Sequence, residues 1–309
     1  MLKIKYLYSV IAFQVLLTSP LYSQKKEILI KNNFAIRDFY LDNDSLFFIK
    51  KRDIYLYNLK SHTSKNYFIG GYGLKLYNLK NKNVIVSASN ELVRNVSSVR
   101  FYNKSTNKFD DVFYFKDGKI LDFLLIPESK LFVLSLTNKK IIFIDYREKP
   151  KFYKTIELNL NALSRRLIYK NNILYFVTDI GEIYEYDFFN YKKTLIYDAG
   201  ELITDFVIDQ NTLVYSTIKG HLVKINLLSN TKNEIEINNN FVNVIMDFDE
   251  KYLICGSWNG TMYILNKESF SIDKELNIHK RAVLQIKKGK NNTIYSSSLD
   301  KTIMGWELK

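Results

Sequence analysis

The sequence predicts an all-β fold, a seven-bladed β-propeller in which each blade has four strands. Two observations lead to this prediction. Short runs that alternate apolar and polar residues recur about every 41 positions, and after residue 23 no segment has its apolar residues at helical spacing. Repeats of roughly 40 to 45 residues with about four short strands each are typical of propeller blades. Hydrophobic residues make up 47% of the chain, which suffices for a core of this size.

The first 23 residues have the pattern of a secretory signal peptide. Two lysines precede an apolar stretch at residues 6–17, and Pro20 and the small residue Ser23 follow it. This stretch is shorter than the roughly 18 apolar residues that a membrane-spanning helix needs. We therefore expect cleavage after Ser23, a propeller domain at residues 24–309, no membrane span in the mature chain, and a periplasmic or secreted location. A retained N-terminal membrane anchor is the alternative.

Seven alternating runs mark the blades, and each run closes on Asn, Asp or Glu. In chain order they are DIYLYN (53–58), SVRFYN (98–103), KIIFID (140–145), EIYEYD (182–187), HLVKIN (221–226), TMYILN (261–266) and TIMGWE (302–307). We expect each run to be the third strand of its blade. One blade alone cannot cover both faces of its sheet, so the seven blades should stack around a central channel.

Another apolar strand precedes most of these runs, and a short polar or Gly-containing turn such as WNG (258–260) joins the two as a β-hairpin. Still further upstream, an Asp-Phe pair recurs in three copies. If these pairs lie on the inner strands of alternate blades, Asp38, Asp122 and Asp205 lie near the channel. Carboxylates placed there either bind a cation or, as we favour, brace a neighbouring blade through its backbone N–H groups.

The two ends of the mature chain are predicted to complete one sheet. TIMGWE ends at Glu307 and leaves the last blade without an outermost strand, whereas KEILI (26–30) precedes the first blade without a partner of its own. An unpaired sheet edge is open to pairing with other chains. We therefore expect KEILI to supply the outer strand of the last blade and to close the ring.

The segment IHKRAVLQIKKGKNNTIYSSSLDKTIMGWE at residues 278–307 resembles a repeat of the WD-repeat propeller family. The resemblance implies a hydrogen-bonded set of four side chains that braces the blade. The matching positions here are His279, Ser296, Asp300 and Trp306. In the sixth blade only the SWNGT turn is similar to the family, and the first five blades keep the spacing without the polar set.

The resemblance also implies that the loops between second and third strands, with the loops that enter the inner strands, form a protein-binding face. Trp258 lies in such a loop. An exposed Trp often dominates the energetics of an interface, and the alternative role is packing between blades. The candidate partner-binding residues are Trp258, Lys280, Arg281 and Lys301.

Residues for catalysis or cofactor binding are scarce. The histidines His62, His221 and His279 lie in different repeats, and no glycine-rich phosphate loop or nucleophile elbow occurs. Cys255 is the only cysteine, so no intrachain disulfide can form. The net charge of +13 becomes +11 without the two lysines of the first 23 residues. Arg is sparse beside Lys, which does not favour nucleic-acid binding.

These observations together predict a monomeric, non-enzymatic interaction platform for a protein or peptide partner, with no cofactor, no metal ion and no nucleic acid. Two alternatives stay open. One is a receptor for a small ligand or a glycan, which should have a deep apolar or aromatic pocket. The other is a hydrolase or lyase with its site at the channel mouth, which should have converging titratable groups.

Overall fold

The computed structural model of the protein describes residues 26–308 except for residues 43, 70, 80–82, 91–95, 104, 107, 117, 147–152, 238–239 and 291. This part of the chain has 28 β-strands and no helix. The strands form seven antiparallel four-stranded sheets, which are the blades of a ring. The prediction of an all-β seven-bladed propeller is thus confirmed. The predicted signal peptide, residues 1–23, lies outside the described residues.

The strands are numbered along the chain, and within each blade they run from the channel outwards. Blade 1 has β2 (Phe39–Asp42), β3 (Ser45–Lys50), β4 (Asp53–Asn58) and β5 (Ser64–Phe68). Blade 2 has β6 (Tyr72–Asn78), β7 (Asn83–Asn90), β8 (Val96–Asn103) and β9 (Lys108–Phe115). Blade 3 has β10 (Ile120–Ile126), β11 (Leu131–Leu136), β12 (Lys140–Asp145) and β13 (Tyr153–Asn159). Blade 4 has β14 (Ser164–Lys170), β15 (Ile173–Thr178), β16 (Glu182–Asp187) and β17 (Lys192–Asp198).

The remaining three blades follow the same order. Blade 5 has β18 (Ile203–Asp209), β19 (Thr212–Thr217), β20 (His221–Asn226) and β21 (Lys232–Glu236). Blade 6 has β22 (Val242–Asp247), β23 (Tyr252–Ser257), β24 (Thr261–Asn266) and β25 (Ser271–Asn277). Blade 7 has β26 (Val283–Lys288), β27 (Thr293–Ser298), β28 (Thr302–Glu307) and, outermost, β1 (Lys26–Lys31). No helix of the described residues is long and apolar enough to span a membrane.

The third strands agree closely with the alternating runs of the sequence. Six of the seven runs have the same bounds as their strand, and the exception is β8, which begins two residues before SVRFYN. The second strands, such as β11 and β19, are rich in apolar residues and largely buried, because a neighbouring blade covers each face of the sheet. The fourth strands, such as β17 and β21, are polar and mostly exposed at the rim.

The ring closes as predicted. Strand β1 pairs antiparallel with β28, with Lys26 opposite Trp306 and Lys31 opposite Thr302. The backbone N–H of Asn32 continues the pairing with a hydrogen bond of 2.9 Å to the carbonyl of Lys301. The N-terminal strand therefore covers the edge that the last strand of the chain would otherwise expose.

The hydrophobic core is divided into separate clusters that lie between the blades. The buried apolar side chains of the described residues fall into seven clusters, one at each junction between neighbouring blades. At the junction of blades 2 and 3, for example, Phe101 packs with Phe123 and Phe132. At the closing junction, Ile30 and Ile303 of blade 7 pack with Phe39 of blade 1. Seven junctions for seven blades are the mark of a closed ring.

Six of the seven inner strands carry an irregularity that shapes the channel, and β2 of blade 1 pairs without one. In blades 2 to 7 the register shifts near the start of the inner strand, which is a β-bulge. A bulge inserts one residue and redirects a side chain. We call the residue after the bulge the ring position and the inserted residue the bulge residue. The ring positions, with the equivalent residue of blade 1, are Asp38, Lys75, Asp122, Arg166, Asp205, Val244 and Gln285. The bulge residues and their equivalent are Arg37, Leu74, Leu121, Arg165, Thr204, Asn243 and Leu284.

Candidate functional site

The three recurring aspartates occupy the ring positions of blades 1, 3 and 5, and each accepts hydrogen bonds from backbone N–H groups. Asp38 accepts from Leu76 of blade 2 at 2.7 Å, and Asp122 accepts from Leu167 of blade 4 at 2.7 Å. Asp205 accepts in the same way, from Ile245 of blade 6, at 2.8 Å. Each carboxylate thus bridges to the inner strand of the following blade.

A cation from the preceding blade completes each of these bridges. Lys287 lies 2.8 Å from Asp38, Lys75 lies 2.7 Å from Asp122, and Arg166 lies 2.8 Å from Asp205. One carboxylate therefore connects three consecutive blades. Among the described residues, no group of three or more His, Cys, Asp or Glu side chains is arranged to hold a metal ion. The geometry of all three aspartates is that of a brace between blades.

The buried cations of this network stay charged. Burial alone would lower the pKa of Lys75, but the Asp122 carboxylate and Tyr77 outweigh that effect, so the pKa is raised. The Asp205 carboxylate raises the pKa of Arg166 above its ordinary value despite burial. Lys75 and Arg166 therefore remain positively charged. Each of them is paired with a carboxylate, Asp122 and Asp205 respectively.

The structure brings the four polar residues of blade 7 together. Nδ1 of His279 lies 3.0 Å from Oδ2 of Asp300, and Nε2 of His279 lies 2.8 Å from Oγ of Ser296. Trp306 donates from Nε1 to Oγ of Ser296 at 3.4 Å. These distances fit a relay in which the indole donates to the hydroxyl, the hydroxyl to Nε2 of the imidazole, and Nδ1–H of the imidazole to the carboxylate.

Asp300 also connects the loop that precedes the inner strand of blade 7 with the turn between the second and third strands of that blade. Its carboxylate accepts from the backbone N–H of Lys280 at 3.0 Å and from the hydroxyl of Thr302 at 2.6 Å. Burial would raise the pKa of Asp300, but the hydrogen bonds from His279, Thr302 and the N–H of Lys280 outweigh it and hold that pKa well below its ordinary value. The loops of this blade are therefore held in place by an ionised carboxylate.

The antiparallel order of strands puts two kinds of loop on one side of the ring. Loops between second and third strands, such as residues 258–260 and 299–301, lie on the same side as loops that enter inner strands, such as residues 278–282. We call this side the upper face. The turns between third and fourth strands, such as residues 188–191, lie on the opposite, lower face.

The channel opens on the upper face as a cavity of ≈ 480 Å³, which we call the upper cavity. Its wall includes five bulge residues or equivalents and one tryptophan: Arg37, Leu74, Leu121, Arg165, Leu284 and Trp258. The two other bulge residues are bonded across a blade junction. Thr204 donates to the carbonyl of Val242 at 2.5 Å, and Asn243 donates to that of Val283 at 2.7 Å.

A second cavity of ≈ 410 Å³, the lower cavity, lies further along the channel. Lys75, Arg166 and Gln285 line both cavities, so these ring positions form the level at which the two spaces meet. The lower cavity also contains the Lys287–Asp38 ion pair. The upper cavity is thus bounded below by Gln285 and by two charged side chains, Lys75 and Arg166, each of which is paired with an aspartate.

Trp258 both packs within the fold and faces solvent. Its ring stacks on Phe241 with a centroid distance of 5.3 Å and an interplanar angle of 22°, and its backbone N–H donates to the carbonyl of Phe241 at 2.9 Å. The residue nevertheless remains 51% exposed. One face of the indole is supported by the fold, and the other is open beside the upper cavity.

The loop of Trp258 lies against the loop that carries Lys280 and Arg281. His279 donates its backbone N–H to the carbonyl of Gly260 at 3.1 Å. Gly260 has a φ of +97°, and a Cβ there would lie 2.6 Å from the carbonyl oxygen of His279, so only glycine fits this approach. The two loops therefore form one continuous part of the upper face.

The candidate lysines and arginine from the sequence do not line the upper cavity with Trp258. Lys280, Arg281 and Lys301 are exposed in the loops of blade 7, outside the cavity wall. The wall contains Lys75 and Arg166, which are paired with aspartates, and also Arg37 and Arg165, which sequence reasoning missed. Arg37 and Arg165 both directly precede a ring position. When the seven inner strands are aligned on the Asp-Phe pairs, these two arginines occupy the position before that of the Asp, and this alignment could have found them.

Comparisons with known proteins identify the fold and no family. The chain matches no protein-family model and no curated protein. Among solved structures it is similar to the crystal structure of the computationally designed Ika8 protein, with a TM-score of 0.65 and 12% sequence identity. That alignment covers 91% of this chain and 98% of the designed one. At this identity the similarity concerns the arrangement of the chain alone.

Proposed function

We propose that this protein is an exported, non-enzymatic β-propeller of divergent WD-repeat type that docks a protein or peptide partner on its upper face. The observation that carries the proposal is Trp258, which is half exposed, stacked on Phe241, and placed where the upper face meets the channel mouth. A large aromatic side chain held rigidly at a surface gives much contact area at little entropic cost, which is typical of interface hot spots.

The lining of the upper cavity supports a binding role in place of catalysis. The one carboxylate in the described part of its wall, Asp122, is bonded to Lys75 and to the N–H of Leu167. Among the residues that the structure describes, no His, Cys or Ser side chain lines this cavity. A nucleophile with its base, or a pair of free carboxylates, would be expected of a hydrolase or lyase.

The WD-repeat character is supported by blade 7, where the hydrogen bonds of His279, Ser296, Asp300 and Trp306 are those that the resemblance implies. Export is supported by the sequence of the first 23 residues. N-terminal sequencing of the protein from its native host tests export: a chain that begins at Gln24 supports it, and a chain that retains the first 23 residues contradicts it.

Partner capture tests the docking role. The mature chain, its Trp258→Ala variant and a Phe189→Ala control are used to capture partners from the native envelope or secreted fraction. Phe189 is 76% exposed in a lower-face turn, so it matches Trp258 as an exposed aromatic residue on the other side of the ring. We expect the wild type and the control to capture the same protein, and the purified partner to bind the Trp258 variant at least about tenfold more weakly.

Equal affinity of that partner for wild type and Trp258→Ala would contradict the proposal. A thermal unfolding curve of each variant serves as the control for folding, because loss of the stacking on Phe241 should cost no more than about 1.5 kcal/mol.

A receptor for a small ligand is the second candidate. The volume of the upper cavity, ≈ 480 Å³, lies in the range of pockets that hold small molecules. This alternative predicts a tightly bound molecule that copurifies with the wild-type protein and no protein partner that depends on Trp258.

A further inference from the structure

Two arginines face the mouth of the channel from opposite parts of the ring. Arg37 precedes the inner strand of blade 1, Arg165 is the bulge residue of blade 4, and both side chains are exposed and line the upper cavity. The bulge in blade 4 is what adds Arg165 to the wall, because the register shifts between Ser164 and Arg166.

The charge of the upper cavity is unbalanced because of these two residues. Of the described residues that line it, four are basic and one, Asp122, is a carboxylate. Lys75 and Arg166 are neutralised by Asp122 and Asp205. Within the part of the chain that the structure describes, Arg37 and Arg165 have no carboxylate partner. A cleft with low-dielectric walls and charge of one sign concentrates counter-charged ligands.

The rest of the described wall is apolar except for Gln285. Leu74, Leu121, Leu284 and Leu299 line the cavity between the arginines, and Trp258 extends the apolar surface out onto the upper face. An occupant that complements this wall has negative charges to meet the guanidinium groups and apolar groups to cover the leucines.

We propose that the upper cavity receives an acidic segment of the docking partner, an extended stretch in which Asp or Glu residues alternate with apolar residues. Arg37 and Arg165 bind its carboxylates, and Trp258 contacts the part of the partner that continues over the upper face. This inference rests on the proposed function. A protein segment is favoured over a free small carboxylate because the apolar contact surface continues beyond the cavity to Trp258, which is 51% exposed.

Fluorescence polarisation with defined peptides tests the proposal. The probe is a short labelled peptide of alternating Glu and Leu residues, and the comparison peptide has Gln in place of each Glu. Binding is measured for the mature protein and for the double variant Arg37→Gln, Arg165→Gln. The matched control is the double variant Lys65→Gln, Lys192→Gln, which removes the same charge from exposed positions on the outer strands β5 and β17.

The Glu–Leu peptide is expected to bind the wild type and the lysine control equally. It should bind the arginine variant at least about tenfold more weakly, since hydrogen bonds between charged groups are among the strongest. Raising the salt concentration to about 0.5 M should weaken binding to the wild type. Equal binding of the Gln–Leu peptide, equal binding to the arginine variant, or no binding of the Glu–Leu peptide overturns the proposal.

Two further measurements separate this inference from the proposed function. If the partner captured through Trp258 binds the arginine variant as tightly as the wild type, the acidic segment is wrong and the docking role stands. If free glutarate displaces the peptide at the same concentration as the unlabelled peptide itself, the cavity is a receptor for small carboxylates and the acidic segment is wrong, whereas the docking role is decided by the Trp258→Ala capture experiment. Because both arginine side chains are exposed, the arginine variant should unfold at the wild-type temperature, which confirms that any loss of binding is local.

Discussion

Asp205 shows how one side chain can hold three blades together. It is 2% exposed, it accepts from the N–H groups of Phe206 in its own blade and Ile245 in the next, and it pairs with Arg166 of the preceding blade. A buried ion pair in itself is weak evidence for stability, but removal of one partner leaves an uncompensated charge. The cost of losing Asp205 should therefore be large.

We predict that Asp205→Ala lowers the free energy of unfolding by about 3 to 5 kcal/mol, because Arg166 and two backbone N–H groups lose their acceptor. Urea denaturation measures the change. The control is Asp209→Ala, whose exposed carboxylate pairs with Lys170 at the surface and whose loss should cost less than about 1 kcal/mol. Equally small losses for the two variants would show that the carboxylate at the ring position is dispensable.

Asp300 should make the stability of blade 7 depend on pH. Its pKa in the folded protein is held below the ordinary value by His279, Thr302 and the N–H of Lys280, after burial has been outweighed. A lowered folded-state pKa contributes stability that is fully present above the unfolded-state pKa, near 4, and is lost as the pH falls below it. We predict that between about pH 5 and pH 2 the wild type loses more unfolding free energy than Asp300→Asn.

The measurement is urea unfolding at a series of pH values, with Glu268→Gln as an exposed control. That control should follow the wild-type pH dependence. Parallel curves for wild type and Asp300→Asn would mean that the carboxylate is not held ionised by its neighbours.

The sequence alone identifies the acidic members of these contacts better than the basic ones. The Asp-Phe pairs at Asp122 and Asp205 repeat within an apolar pattern, so their place on inner strands is predictable. Their partners Lys75 and Arg166 stand among many other basic residues and follow no repeated motif. Only the fold, which makes them equivalent ring positions on neighbouring blades, indicates that they meet the aspartates.

At the scale of the strand, the sequence predicts that β1 closes the ring. It does not predict which isoleucine of β1, Ile28 or Ile30, is buried. Strict alternation would put Ile28 and Ile30 on the same face of the strand. A bulge between them shifts the register, so Ile28 is 58% exposed whereas Ile30 is 9% exposed and packs at the closing junction. A bulge leaves no signal in an apolar run as short as KEILI.

We predict that Ile30→Ala lowers the free energy of unfolding by about 2 to 4 kcal/mol, because it leaves a cavity between blades 7 and 1. Ile28→Ala is the matched control in the same strand and should cost less than about 0.5 kcal/mol. Thermal or urea unfolding distinguishes the two. A larger loss for Ile28→Ala would mean that β1 pairs with β28 in another register.

The β-bulges of the inner strands also determine which side chains line the mouth of the channel. The same irregularity in β6, β10, β14 and β26 adds Leu74, Leu121, Arg165 and Leu284 to the wall of the upper cavity. Sequence reasoning recognised Trp258 because its turn belongs to a repeated hairpin. It missed Arg37 and Arg165 because the bulge residue has no fixed type. The basic residues that it predicted, Lys280, Arg281 and Lys301, were chosen because they should lie near Trp258 from the adjacent blade, and their role in binding stays a prediction.

At the scale of the whole molecule, closure and binding are connected. Each blade packs only on its two neighbours, through one of the seven apolar clusters. Pairing of β1 with β28 prevents blades 1 and 7 from separating independently. Arg37 of blade 1, Arg165 of blade 4 and Trp258 of blade 6 come from distant parts of the ring, so a closed ring is what fixes their mutual arrangement.

The repeat count, the strand order and the closure follow from the spacing of seven alternating runs and two unpaired ends. The identity of the partner does not follow, because a propeller presents many loop sequences on one scaffold. What the structure adds is a specific place on the upper face, a basic and apolar mouth beside a rigid tryptophan.

The central claim is that the upper face is the docking face, and hydrogen–deuterium exchange of the mature protein with and without its purified partner tests it most directly. We predict added protection at residues 35–38, 163–166, 240–243, 258–260 and 278–282, which lie at the channel mouth and in the loops around Trp258. Lower-face turns such as residues 188–191 and 227–231 should exchange as in the free protein. Protection confined to those turns or to the outer strands would contradict the claim.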